Sequence, residues 1–188
     1  MTKAIKQDTA DMENPTRARH SVSLVTQGKK QVYTLTLPIE TLAETCMVTT
    51  RTEDPQKGFQ RELDEKRADE IARYIDNAEG TIPSSIVLSA QAKAELKVVG
   101  RGKTLEFNKV PGAFLILDGQ HRAYGFSKAS TSLRVPVVIY NGLSRQEETL
   151  LFIDINTKQK PVPPALLLDI KRLADIESES RTHSTRLI

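Results

Sequence analysis

Five consecutive apolar residues, Ala113-Phe114-Leu115-Ile116-Leu117, run directly into Asp118-Gly119. A stretch of this length is far too short to cross a bilayer. With no polar residue turned toward water, it predicts a strand buried on both faces. Such a strand requires cover from other elements, and Gly119 allows a tight turn directly after it. The residues that follow, through Ala123-Tyr124-Gly125-Phe126-Ser127-Lys128, predict a helix. A second apolar run, Val135 to Tyr140, predicts another buried strand and ends at the turn Asn141-Gly142.

The rest of the chain supplies elements that can cover these strands. Val22 to Val25 and the alternating Val32 to Ile39 flank Gly28-Lys29 and predict a hairpin. Thr41 to Thr50 predicts a short helix or a strand. Ile86-Val87-Leu88 predicts a buried strand, and Lys97 to Val99 with Thr104 to Phe107 predicts a second hairpin across Gly100-Arg101-Gly102. Between the turn Asp54-Pro55-Gln56-Lys57-Gly58 and Gly80, a helix is expected from Phe59 to Ile75. Its apolar residues Ala68, Ile71, Ala72 and Ile75 recur at helical spacing, and Glu62, Asp64 and Glu65 lie in its first turn. Ser144 with Glu147 three residues later is a capping box for a further helix. A last helix is expected from about Ala165. Together these predict an α+β fold with a small mixed sheet and three to four helices. The domain is expected over residues 21–164, preceded by a mobile polar arm at 1–20 and followed by a C-terminal helix at 165–188.

Composition narrows the function classes. With 38% hydrophobic residues the chain can build a core, and with no Trp and 5% aromatics that core is aliphatic. The single cysteine, Cys46, excludes an internal disulfide and a multi-cysteine zinc site. It also fits a reducing compartment. Cys46 sits in mixed apolar-polar sequence and reads as a buried small hydrophobe rather than a nucleophile. The N-terminus lacks an apolar run, so no signal peptide is expected, and no membrane partner. The net charge is only +3, but it is unevenly spread. Residues 91–134 carry eight basic and three acidic side chains, while residues 59–79 carry four basic and seven acidic ones. A solvated set of loops and a phosphate-facing middle are both consistent with that pattern.

The chemistry is concentrated in Asp118-Gly119-Gln120-His121-Arg122. A strand end followed by a helix start offers backbone N–H groups to an anion. His121 is a titratable donor, and Arg122 is a fixed-charge fork for phosphate oxygens. Asp118 could hold a metal or a hydroxyl proton, since Mg²⁺ commonly takes one or two carboxylates plus substrate phosphates. In the plainer alternative Asp118 only caps the helix and Arg122 pairs with it at the surface. His20 and His183 lie in the polar ends and are expected to face solvent. No Ser-His-Asp order, Walker motif or HExxH stands out.

Those five residues spell DGQHR, and the chain resembles the DGQHR-domain family. Phe59-Gln60-Arg61 opening a helix that ends Glu70 to Ile75 is similar to that family's upstream QR helix. Phe152-Ile153-Asp154-Ile155-Asn156-Thr157-Lys158-Gln159-Lys160-Pro161-Val162 is similar to its downstream F-x-x-I-N-x-x-Q-x-x-V block. The resemblance covers roughly Val32 to Ile170 and implies a ParB/sulfiredoxin-like fold. Members such as DndB and DpdB belong to bacterial DNA-modification and phage-defence systems. The resemblance therefore implies a cytoplasmic protein that binds DNA or a nucleotide, as a regulator of DNA modification, alongside other proteins of its operon.

The site residues the resemblance implies are these. Gly119, Gln120, His121 and Arg122 would bind phosphate, and Arg61 would add a second cation with Gln60 beside it. Asn156 and Gln159 would shape the far wall, although both also fit as helix-end and loop residues. Asp118 and His121 would be the catalytic pair of an alternative reading, an ATPase, NTPase or phosphoryl-transfer enzyme using ATP or another nucleoside triphosphate with Mg²⁺ held at Asp118. Gln120 stands where sulfiredoxins carry their cysteine, so sulfinate reduction is not expected. A nuclease is a third reading, unsupported by further acidic residues. Family members usually continue with more helix. If this chain is a truncated form, Leu166 to Leu168 would be left exposed and would favour a homodimer.

Overall fold

The computed structural model describes residues 15–48, 63–77 and 81–158. In chain order they form β1 (Arg17–Ser21), β2 (Ser23–Gln27), β3 (Lys30–Pro38), α1 (Ile39–Thr45) and β4 (Cys46–Met47). Next come α2 (Glu65–Asn77), β5 (Ile86–Ala90), a single 3-10 turn (Ala92–Ala94), β6 (Lys97–Val99) and β7 (Thr104–Asn108). The last are β8 (Phe114–Asp118), α3 (Gln120–Lys128), β9 (Arg134–Asn141) and α4 (Arg145–Lys158). The chain divides into two units, residues 1–153 and 154–188. No described helix is long and apolar enough to cross a membrane. The helix expected from Ala165 lies outside the described residues.

The architecture is α+β, as expected, but with two sheets rather than one. A six-stranded mixed sheet runs β2-β3-β9-β5-β8-β4, and a three-stranded antiparallel sheet runs β1-β7-β6. In the larger sheet β5 is parallel to β9 and β4 is parallel to β8, while the other pairs are antiparallel. The apolar run beginning at Ala113 becomes β8, and Phe114, Leu115, Ile116 and Leu117 are all buried. Phe107 of β7 meets Phe114 edge-on at 5.0 Å, so the two sheets share one core. Most of that core is aliphatic, including Leu35, Leu37, Ile86, Leu88, Val137 and Ile139.

Both expected hairpins form. Gly28 (φ +59°) turns β2 into β3, and Gly100, Arg101 and Gly102 all take positive φ between β6 and β7. Thr41 to Thr50 is neither wholly helix nor wholly strand: α1 ends at Thr45 and the two-residue β4 follows.

Three expectations need correction. Residues 17–20 are not part of an arm. They form β1, paired with β7 from Arg17↔Asn108 to Ser21↔Thr104. The alternation is hard to read because the inward residues are Ala18 and His20 rather than large aliphatics. His20 is accordingly half-buried and stacked on Phe107 at 5.7 Å, not facing solvent. His183 lies outside the described residues. Of the helix expected from Phe59 to Ile75, residues 59–62 lie outside the described residues, and the described part begins later than expected. Leu63 and Asp64 are not helical, and α2 starts at Glu65. Asp64 Oδ1 accepts the Arg67 N–H at 3.2 Å, as an N-cap side chain does when it satisfies an orphan amide. The expected apolar face is correct: Ala68, Ala72 and Ile75 are buried and Ile71 is half-buried.

The capping box of α4 is complete. Ser144 Oγ accepts the Glu147 N–H at 3.3 Å, and Glu147 Oε2 accepts the Ser144 N–H at 2.9 Å. Lys30 of β3 donates to the other Glu147 oxygen at 2.6 Å. That ammonium, helped by the Ser144 bonds, holds the Glu147 carboxyl down at about 2. A depressed carboxyl contributes stability above its unfolded value and loses it as pH falls through the folded one. Wild type is therefore expected to lose thermal stability more steeply than Lys30→Met between about pH 5 and pH 2. Melting curves of the two proteins across that range check it.

Candidate phosphate-binding turn

Asp118 is the last residue of β8 and Gln120 the first of α3, so Gly119 makes the whole connection. It does so at φ +96°, in the left-handed region that glycine tolerates best. The space is as restrictive as the torsion. A Cβ on Gly119 would lie 2.5 Å from Ile86 Cδ1 and 3.0 Å from Arg122 Nη2. The N-cap of α3 is Gly119 itself, which has no side chain to place there, and backbone N–H groups and the helix dipole at such a start favour an anion.

Arg122 is fixed in place by its neighbours. Nη2 donates to Asp118 Oδ2 at 2.7 Å, four residues back at the end of β8. Nη1 is shared among Ser84 O at 2.8 Å, Ser84 Oγ at 2.6 Å and Ser85 O at 3.0 Å. The guanidinium thus ties the turn to the entry of β5, and hydrogen bonds from a charged donor are the stronger kind. Asp118 in turn is the acceptor that orients it. Ser84 and Ser85 were not readable from sequence, because 38 and 37 residues separate them from Arg122. Their place directly before a buried strand was the only signal.

A cleft of about 170 Å³ opens beside the turn. Gln120, Tyr124 and Ser127 line it from α3, Leu42 and Cys46 from α1 and β4, and Ile116 from β8. Most of its wall is apolar, with the polar groups of α3 at one side, which is the usual make-up of a small-molecule site. Val48 and Leu63 also line it, on either side of residues 49–62 in the chain. Burial pushes the Cys46 thiol up to about 12. At neutral pH it is therefore protonated and acts as a small apolar wall residue, as its sequence context suggested. Lys128 closes the far end of α3. It pairs with Asp69 of α2 at 2.7 Å and lies 4.8 Å from the centre of the Tyr124 ring.

The structure therefore brings Asp118, Gly119, Gln120, His121 and Arg122 together at one strand-to-helix turn, with His121 half-buried on the first turn of α3. Asn156 is exposed on α4, in the second unit of the chain. Gln60, Arg61 and Gln159 lie outside the described residues. Among the described residues no three His, Cys, Asp or Glu side chains converge as a metal site. The model of a protein family described as DndB, DNA-sulfur modification-associated, matches residues 21–182. No curated protein matches the chain.

Proposed function

This chain belongs to the DndB family, DNA-sulfur modification-associated, and from that premise we propose that it binds DNA or a nucleotide through the DGQHR turn, as a regulatory component of a DNA-sulfur modification system. One observation carries the reading. Gln120 belongs both to the first turn of α3 and to the wall of the adjoining cleft. A phosphate held at the helix start would leave its nucleoside beside Tyr124 and Ser127. Arg122 serves by fixing the turn through Ser84, Ser85 and Asp118, with its positive charge close by. Arg61 stands two residues before the cleft residue Leu63 in the chain and is the natural second cation.

The test is a thermal-shift panel of nucleoside triphosphates, each with and without Mg²⁺. A ligand that binds only the folded state raises the melting temperature with ln(1 + [L]/Kd), reaching about 2.7 kcal/mol at 100 times Kd. A concentration-dependent rise that His121→Ala reduces is the expected result. No rise with any nucleotide, together with no DNA binding, would overturn the proposal.

The enzyme reading uses the same residues. Mg²⁺ would neutralise charge developing on transferred phosphate, and Asp118 is the turn's one carboxylate to hold it. That carboxylate is already engaged by Arg122, so binding is favoured over turnover. Phosphate release from ATP or CTP, abolished by His121→Ala, would reverse that preference.

A further inference from the structure

We propose that the outward face of the β1-β7-β6 sheet, with the β6–β7 hairpin at its end, is a contact surface for the sugar-phosphate backbone of duplex DNA. The inference rests on the DNA-binding reading above but assigns the contact to a surface other than the DGQHR turn. It starts from where the fold sends the positive charge of residues 91–134. Lys109 is paired with Glu44, Arg122 with Asp118 and Lys128 with Asp69, and Arg134 is bonded to Thr36. Lys97, Arg101 and Lys103 have no ion pair among the described residues and are exposed. All three belong to one hairpin.

The strand register then adds two arginines to the same side. Arg19, Glu106 and Lys97 stand in one row across β1, β7 and β6, and residues directly opposite one another share a face. Arg17 and Asn108 form the next row on that face, two residues along. The opposite face carries Ala18, Leu105 and Phe107 into the core. Glu106 is the only acid within the sheet strands, and it is nearly buried. It binds Arg17 through one oxygen and Arg19 through the other. Arg17 is held further by Asn108 and Glu95, whereas 71% of the Arg19 side chain remains exposed. One carboxylate thus orders two guanidiniums without cancelling them. Arg17, Arg19, Lys97, Arg101 and Lys103 face Glu95 and Glu106, a surplus of three positive charges on a few strands.

The rest of this face chooses the ligand. Ser21, Val99 and Thr104 occupy the row between the arginines and the hairpin tip. Among the described residues this face carries no aromatic side chain on which an unpaired base could stack, as single-strand binders require. Basic side chains on a flat, non-aromatic face contact phosphates and fix position rather than read bases. Binding is expected to be salt-dependent and indifferent to sequence.

The experiment measures anisotropy of the full chain with a labelled duplex from about 50 to 200 mM salt, for wild type and for Lys97→Gln/Arg101→Gln/Lys103→Gln. With each phosphate contact contributing about 0.9 to the slope of log K against log salt, the triple variant should lose between 2 and 3 from the magnitude of that slope, about 2.7, and bind at least about tenfold more weakly. Lys29→Gln, in the β2–β3 turn of the other sheet, should behave as wild type. Acetylation of Lys97 and Lys103 in the wild-type chain should be slowed by the duplex, a readout that needs no variant. An unchanged slope and affinity in the triple variant, with no protection of those lysines, would overturn the surface while leaving the DNA-binding reading intact. Tighter binding of single strands than of duplex would overturn the choice of ligand. If wild type shows no salt-dependent binding to any duplex, the DNA-binding reading fails and this surface fails with it.

Discussion

Gly119→Ala is expected to destabilise the protein by about 3 kcal/mol, combining roughly 1–2 for a left-handed non-glycine residue with a further 1–3 for overpacking. Both causes are present in the geometry. The φ of +96° is one that L side chains rarely adopt, and the added methyl would lie 2.5 Å from Ile86 Cδ1. Ile86 is fully buried at the start of β5, so its side chain has little room to retreat. The same methyl would stand 3.0 Å from Nη2 and 3.2 Å from Cζ of Arg122. Pushing the guanidinium away strains its bonds to Asp118, Ser84 and Ser85 together. The two causes separate in a double variant. Ile86→Val removes Cδ1 and alone should cost about 0.5–1.5 kcal/mol. Combined with Gly119→Ala it should be less than additive, because the worst clash has gone while the torsional cost stays. Urea unfolding of the four proteins measures this. Full additivity would show that Ile86 is not what the glycine accommodates. Any nucleotide-induced rise in melting temperature should also disappear in Gly119→Ala, since the helix start and its arginine move.

How much of this was legible in the sequence follows from the range of each interaction. The two hairpins, the buried β8 and β9 and the α4 capping box rest on patterns within a few residues: a turn glycine, an apolar run, Ser144 with Glu147. Local patterns of that kind survive folding. The strand β1 was missed because its inward positions, Ala18 and His20, carry little hydrophobic signal, and its outward Arg17 and Arg19 make sense only opposite Glu106, 89 and 87 residues away. The DGQHR turn was legible as a strand-to-helix junction. That Arg122 ties it to Ser84 and Ser85 was not, because no local pattern marks a contact across 38 residues. The uneven charge was visible, but its placement was not. Pairing of Lys109 with Glu44, Arg122 with Asp118 and Lys128 with Asp69 engages three of the cations of residues 91–134, while Lys97, Arg101 and Lys103 stand exposed on the β6–β7 hairpin.

Gly125→Ala is the second change with a large expected effect, and here the sign itself is the test. In an open helix, replacing glycine by alanine gains about 1 kcal/mol of propensity. Gly125 lies inside α3 and is buried where α3 crosses α2. A Cβ there would lie 2.7 Å from Ile71 Cγ2, 2.8 Å from Ile71 Cβ and 3.0 Å from the Ala68 carbonyl oxygen. Two of these neighbours, the Ile71 Cβ and the Ala68 carbonyl, are fixed to the backbone of α2, so no rotamer change relieves them. The helices must move apart, which opens the interface around Ala68 and Ala72 and strains Lys128–Asp69 and the Asp76 bonds to Ser130 and Thr131. Overpacking costs about 1–3 kcal/mol, and contacts fixed to the backbone put it in the upper half of that range, so after the propensity gain of about 1 kcal/mol the net loss is about 1–2 kcal/mol. Ile71→Ala removes Cγ2 but keeps Cβ, so adding it to Gly125→Ala should cost less than the sum of the two changes without restoring wild-type stability. Denaturant midpoints at constant m-value measure both. A Gly125→Ala protein more stable than wild type would mean that the α2–α3 contact yields easily. The turn would then not depend on that close approach for its position.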